Sequence, residues 1–329
     1  MTLRRRRCLP MFLLLLGALT ACHSAGTGGT SVDRTLAALA PSDATMLAGI
    51  RMDAVRATPL FQNLVASRSF QLLDDFARET GFDPRRDVRE LLIASDGKDL
   101  LIAARGTFKE SAASSLAKQS YRGITLYTTG DRGVAFLEAS TAVAGTLPSV
   151  KAALDHYKSG NRSGPTELLA RARQIPAANQ LWSVSNGFEN LLTAAIPETG
   201  NAANAGRILR SLENMTFAAD LRTGLNGYLT GACRTEQDAK NLGDTARGLI
   251  GLGRLSVPEK QPELLRFWDG IKVDQQQRTV TITVAVPEDL LEKMLDFLKL
   301  RPELRRLPVT APVSPRSAPS SAPESRRLE

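Results

Sequence analysis

The stretch Thr279-Val280-Thr281-Ile282-Thr283-Val284-Ala285-Val286 alternates large apolar residues with threonine and alanine. Successive side chains of a strand point to opposite faces, so this spacing predicts a strand with Val280, Ile282, Val284 and Val286 in a core and the threonines near water. Such one-sided strands belong to antiparallel sheets whose dry face is covered by helices. Pro287 then opens a helix that carries Leu290, Leu291, Met294, Leu295 and Leu298 on one face.

Upstream, Ile271 to Val273 completes a hairpin with this strand. Before it come a strand at Leu181 to Ser185, a helix at Phe188 to Ala195, a strand pair at Met215 to Asp220 and Gly227 to Gly231, and a helix at Glu236 to Leu249. The same order reads earlier in the chain. A strand at Met46 to Met52 precedes helical segments between Asp53 and Thr80, and Glu90 to Ser95 and Leu100 to Arg105 flank the tight-turn pair Asp96-Gly97. A helix near Glu110 to Gln119 follows, then strands Ile124 to Tyr127 and Val134 to Ala139 around Gly130-Asp131, then a helix at Ser149 to Tyr157. This order predicts an α+β fold of two similar halves, each mainly antiparallel sheet with helices packed on one face. The halves would span residues 33–158 and 179–300, joined by a linker at 159–178.

The 329 residues carry a formal charge of +8, concentrated at the ends. Arg4 to Arg7 supply four positive charges, the tail from Arg301 to Glu329 has six Arg against three Glu, and residues 22–300 are left close to neutral. A protein that tracks phosphates needs a basic stripe on its folded surface, so nucleic acid is excluded as a partner. The Pro-, Ser- and Arg-rich segment 301–329 reads as a disordered tail.

Residues 1–21 order a basic zone, an apolar run around Leu13 to Leu16 and a short carboxyl-terminal zone, the pattern of an export signal. The apolar run falls well short of the roughly 20 residues that span a bilayer. The segment Leu19-Thr20-Ala21-Cys22 resembles the lipobox of bacterial lipoproteins. That resemblance implies cleavage before Cys22, acylation of its sulfur and a lipid bilayer as partner, and His23 in place of Asp implies the outer membrane, facing the periplasm, in a Gram-negative cell. Residues 22–32 read as the lipidated cysteine and a flexible tether, whose Gly-, Ser- and Thr-rich run from His23 to Ser31 has a reach of roughly 15 to 18 Å.

Chemistry is sparse. Of two histidines, His23 adjoins Cys22 and His156 falls on the polar side of its helix; zinc and serine-hydrolase signatures are missing. Asp83-Pro84-Arg85-Arg86-Asp87 reads as a capped turn with internal ion pairs, and Asp74 and Asp75 as a solvated helix face. Cys233, beside Arg234, reads as a buried apolar residue, Gly248, Gly251 and Gly253 as a helix stop, and Trp182 and Trp268 as core. No catalytic, cofactor or metal residues are assigned. The body is faintly similar to uncharacterised families of exported bacterial proteins built from repeated α+β halves, and no functional residue carries over from them. The expectation is a membrane-anchored envelope lipoprotein that acts as a binding, assembly or scaffold protein, with an envelope protein or a hydrophobic ligand as its partner. The alternatives are a carboxylate-dependent envelope hydrolase and a carrier of a hydrophobic ligand between the two halves.

Overall fold

A computed structural model describes residues 29–30, 32–67, 74, 77, 83–114, 116–160, 164–187, 210–258, 262–291 and 293. The expected export signal, lipobox with Cys22, most of the tether, the helix at Phe188 to Ala195 and the tail after residue 300 lie outside them.

One antiparallel sheet of twelve strands organises the chain. Its strands are β1 (Met46–Arg51), β2 (Val88–Ser95), β3 (Leu100–Gly106), β4 (Ala117–Tyr121), β5 (Ile124–Thr129), β6 (Arg132–Glu138), β7 (Thr141–Thr146), β8 (Leu181–Asn186), β9 (Leu212–Asp220), β10 (Leu225–Cys233), β11 (Ile271–Gln276) and β12 (Thr279–Val286). The order across the sheet is β11-β12-β10-β9-β8-β1-β2-β3-β7-β6-β5-β4, which at about 4.8 Å per strand makes it roughly 50 Å wide. The described helices are α1 (Arg34–Leu39), α2 (Met52–Arg56), α3 (Pro59–Ser67), α4 (Pro84–Asp87), α5 (Leu147–Ser159), α6 (Thr166–Ala172), α7 (Glu236–Leu255) and α8 (Leu265–Asp269).

This architecture corrects the expected fold class. Instead of two similar halves with a sheet each, residues 46–146 supply seven strands and residues 181–286 supply five, all hydrogen-bonded into one sheet. The join is β1 against β8, in register from Met46↔Ser185 to Ile50↔Leu181. The expected linker contains α6, a helical turn that packs Leu168 and Leu169 into the core. The segment read as a helix near Glu110 to Gln119 is a 3-10 turn at Glu110–Ala113 followed by strand β4.

Helices also cover both faces, not one. In β2, β3 and β7, neighbouring residues enter different cores: Leu92, Ala103 and Val143 pack under α1, α5 and α6, whereas Leu91, Ala104 and Ala142 pack with Met52, Phe108 and Phe136. Successive strand residues face opposite ways, so these are opposite sides of the sheet. Tyr228 of β10 joins the first core, while Leu229 pairs with Ile282, which packs beside Val280, Cys233 and Ala239 under α7. Helix α7 therefore lies on the side away from α1, α5 and α6. Toward β11 and β12 the first side turns polar, where the Thr230 and Thr281 hydroxyls meet at 3.2 Å.

The seam is tightly fitted. Gly49 of β1 sits opposite Trp182 of β8, and a Cβ on Gly49 would lie 2.2 Å from the indole. Gly49→Ala is expected to lower stability by about 1 to 3 kcal/mol through overpacking, read as a lower denaturant midpoint, and Trp182→Phe in the same chain is expected to recover part of the loss.

Candidate functional site

The richest polar arrangement lies where the amino-terminal segment meets the sheet. Arg51, Glu90, Arg105 and Thr141 are cross-strand neighbours on β1, β2, β3 and β7, which places plus, minus and plus in a row on one face. Asp33 caps α1 beside this row, accepting the amides of Thr35 and Leu36 at 2.8 and 3.0 Å. The Arg105 guanidinium donates to Asp33 at 3.2 Å, to Thr35 Oγ1 at 3.1 Å and to Thr141 Oγ1 at 2.6 Å. Glu90 Oε1 accepts the Asp33 amide at 3.4 Å.

The turn before β8 forms the other wall. Arg51 donates to the carbonyls of Ala177 and Asn179. Gln180, almost fully buried, accepts the Leu221 amide at 2.6 Å and donates to Asp220 at 3.1 Å. Gly29 bridges to Pro176, and the Thr30 amide donates to the Ile175 carbonyl at 2.6 Å. Gly29 and Thr30 are thus fastened to the turn that leads into β8.

Electrostatics divide these carboxylates. Burial pushes Asp33 upward, but the Leu36 and Thr35 amides and Arg105 outweigh it and hold its pKa below the ordinary value. Burial raises Glu90, and the Asp33 and Asp53 charges add to the rise against the opposing pull of Arg51. Arg222, hydrogen-bonded to Asp220, lowers that carboxyl to about 2. A raised glutamate suits general-acid work, yet Glu90 and Asp33 both spend acceptor oxygens on backbone amides and act as fasteners.

The other singled-out residues are scattered. Asp83 caps α4 and pairs with Arg85, Asp87 accepts the Asp83 amide at 2.8 Å, and Arg85 also reaches Asp74 at 2.8 Å. Asp75 lies outside the described residues. His156 is half-buried, with its Nδ1 lacking a hydrogen-bond partner among the described residues. Cys233 is fully buried, and that burial raises its thiol pKa. Trp182 is core; Trp268 is half-buried against Gly253. The seam between β1 and β8, considered above for a hydrophobic ligand, is a continuous ladder. A shallow polar depression of about 440 Å³ lies instead at the sheet's margin, lined by Asp274, Gln276, Gln277, Thr279 and Thr281. Among the described residues no group of three or more His, Cys, Asp or Glu is placed to hold a metal ion, and no helix is long and apolar enough to cross a membrane.

The row around Glu90 was missed in the sequence because Arg51, Glu90 and Arg105 are spread over 55 residues and meet only through strand register. A faint signal existed: each charge stands at or near the end of a mostly apolar strand.

No family model matches the chain, and no curated protein does. Among solved structures it is similar to crystal form III of TP0453, with 9% identity and a TM-score of 0.48 over 81% of this chain and 99% of that one. Crystal form I of TP0453 gives 10% identity and a TM-score of 0.45 over 82% and 98%.

Two pH effects are expected. Glu90 has a folded pKa above its unfolded one, so its charge costs stability as pH rises through that range. Glu90→Gln should melt higher than the parent at pH 7 and together with it near pH 4. Asp220 is the reverse: its contribution is complete above its ordinary 3.8 and lost as pH falls toward about 2, so Asp220→Asn should flatten acid unfolding in that window.

Proposed function

We propose that this chain is a membrane-anchored envelope lipoprotein, held by acyl chains on Cys22, that works as a binding or assembly protein. In a Gram-negative cell it would face the periplasm from the outer membrane. The observation that carries the reading is the continuity between Leu19-Thr20-Ala21-Cys22, the Gly- and Thr-rich run behind it, and the fastening of Gly29 and Thr30 to Ile175 and Pro176. A pull on Cys22 passes through a short run of chain into a ladder-bonded sheet. At about 0.8 kcal/mol per buried methylene, two or more acyl chains make attachment effectively permanent.

A binding role is favoured over carboxylate hydrolysis because Asp33, Asp83, Asp87 and Asp220 are engaged in caps and ion pairs. The partner in this reading is an envelope protein, since the seam between β1 and β8 is closed by a continuous ladder.

Intact-mass measurement of the mature protein tests the anchor. The expected chain begins at Cys22 and carries diacylglycerol and a further acyl group, and Cys22→Ala leaves an uncut leader without acyl mass. A mature product beginning elsewhere with unmodified mass would refute the reading.

A further inference from the structure

Helix α7 is apolar on two sides. Ala239, Leu242 and Gly243 turn toward β10, β11 and β12, but its last turns expose Leu249 and Leu252 by 62% each and Leu255 by 85%. At 100° per residue Leu255, Gly248, Leu252 and Leu249 fall on one arc of about 120°, whose Leu249 edge adjoins the sheet-facing Leu242 while Leu252 and Leu255 lie farther round toward solvent. Gly248 and Gly251 have open space where a side chain would be, so the three leucines stand clear. Leucines packed this closely on an exposed helix mark an interaction surface.

The sheet's topology shows what that surface meets. Antiparallel pairing puts the end of β1, the start of β8, the end of β12 and the start of β11 at one end of the sheet. Gly29 and Thr30 are fastened at this end, beside the start of β8. Helix α7 starts just after β10 reaches the far end and runs back, so that Gly253 packs on Trp268 of α8 and Gly270 reaches the carbonyl end of β12. The exposed leucines therefore share an end of the sheet with the tether's attachment, on its opposite face and displaced by about three strand spacings, roughly 14 Å, in the plane of the sheet. The nearby arginines carry no surplus charge: Arg247 pairs with Asp244, Arg254 with Asp269 and Arg266 with Asp289.

We propose that Leu249, Leu252 and Leu255 of α7 dock the body onto the lipid surface that holds its tether, by apolar insertion and not by attraction to anionic headgroups. This rests on the anchor at Cys22. A tether that short holds the patch against the bilayer at high effective concentration. The two attachments then fix which end of the sheet faces the lipid.

The test uses the full chain, acylated by its own cells and reconstituted in phosphatidylcholine vesicles with and without phosphatidylglycerol. An environment-sensitive fluorophore is placed by L252C or, as control, by Q276C at the far end of the sheet; Cys233 is buried and does not compete. The L252C probe should shift blue and be quenched by lipid-borne nitroxides equally in both vesicle types and at high salt, while the Q276C probe stays wet. Each Leu→Ser change should weaken docking about tenfold, so a L249S/L255S background loses the signal, and the exposed positions leave folding intact. A wet L252C probe on protein whose mass shows acyl chains overturns docking and leaves the anchor standing. An unacylated protein whose probe still enters lipid does the opposite. A blue shift without vesicles that grows with protein concentration assigns the patch to a second copy and overturns the proposal.

Discussion

The ladder between β1 and β8 holds the molecule together. Two stretches more than 130 residues apart pair over five positions, and each covers an edge that would otherwise present unpaired amides and carbonyls. Everything on either side inherits its register. β2 follows from β1, β9 from β8, and a one-residue slip would send Leu47 and Val184 from the core to the opposite face. Gly49 beneath Trp182 pins that register, because the indole fits only where a side chain is missing.

From this seam the sheet spreads in two chemical styles. Near β2, β3 and β7 both faces are apolar, with small residues such as Ala94, Ala103 and Ala142 letting layers approach closely. Toward β12 the alternation of valine and isoleucine with threonine leaves one face polar, and the shallow depression around Thr279 and Thr281 is its outcome. Ionic groups gather at the strand ends instead of in a cleft. Asp33, Glu90, Arg105 and Arg51 lock a helix cap, three strands and a turn to one another. In that setting a shifted pKa reports fastening: charge-assisted bonds hold Asp33 low, and burial, with the Asp33 and Asp53 charges beside it, lifts Glu90.

These fasteners and the proposed lipid anchor belong to one mechanical path. The segment after the tether is bound at Thr30, capped at Asp33 and crosslinked through Arg105 to β3 and β7, so force on the amino terminus reaches the middle of the sheet and not a frayed edge. In the proposed arrangement the end that would bear this load also carries the open leucines of α7, and the two attachments together would orient the broad sheet above the lipid.

Local chemistry was readable in the residues themselves. Asp96-Gly97 and Gly130-Asp131 turn hairpins because Gly97 and Gly130 adopt positive φ at no cost; Asp83 with Pro84 caps a turn because side-chain oxygen and ring suit a helix start; the β12 alternation specifies its wet and dry faces. What the sequence left open was partnership. β4, Ala-Lys-Gln-Ser-Tyr, has no apolar alternation because it is an edge strand held only by β5. β7, Thr-Ala-Val-Ala-Gly-Thr, looks too small for a strand because it is sandwiched between β3 and β6. Turns, caps and the strongly alternating strands are set by neighbours along the chain, whereas strands such as β4 and β7, the single sheet, the helices on both its faces and the charged row at its end depend on which distant edges meet. Backbone hydrogen bonding is the same for every strand, so only the assembled fit of side chains, such as Trp182 over Gly49, selects among those meetings.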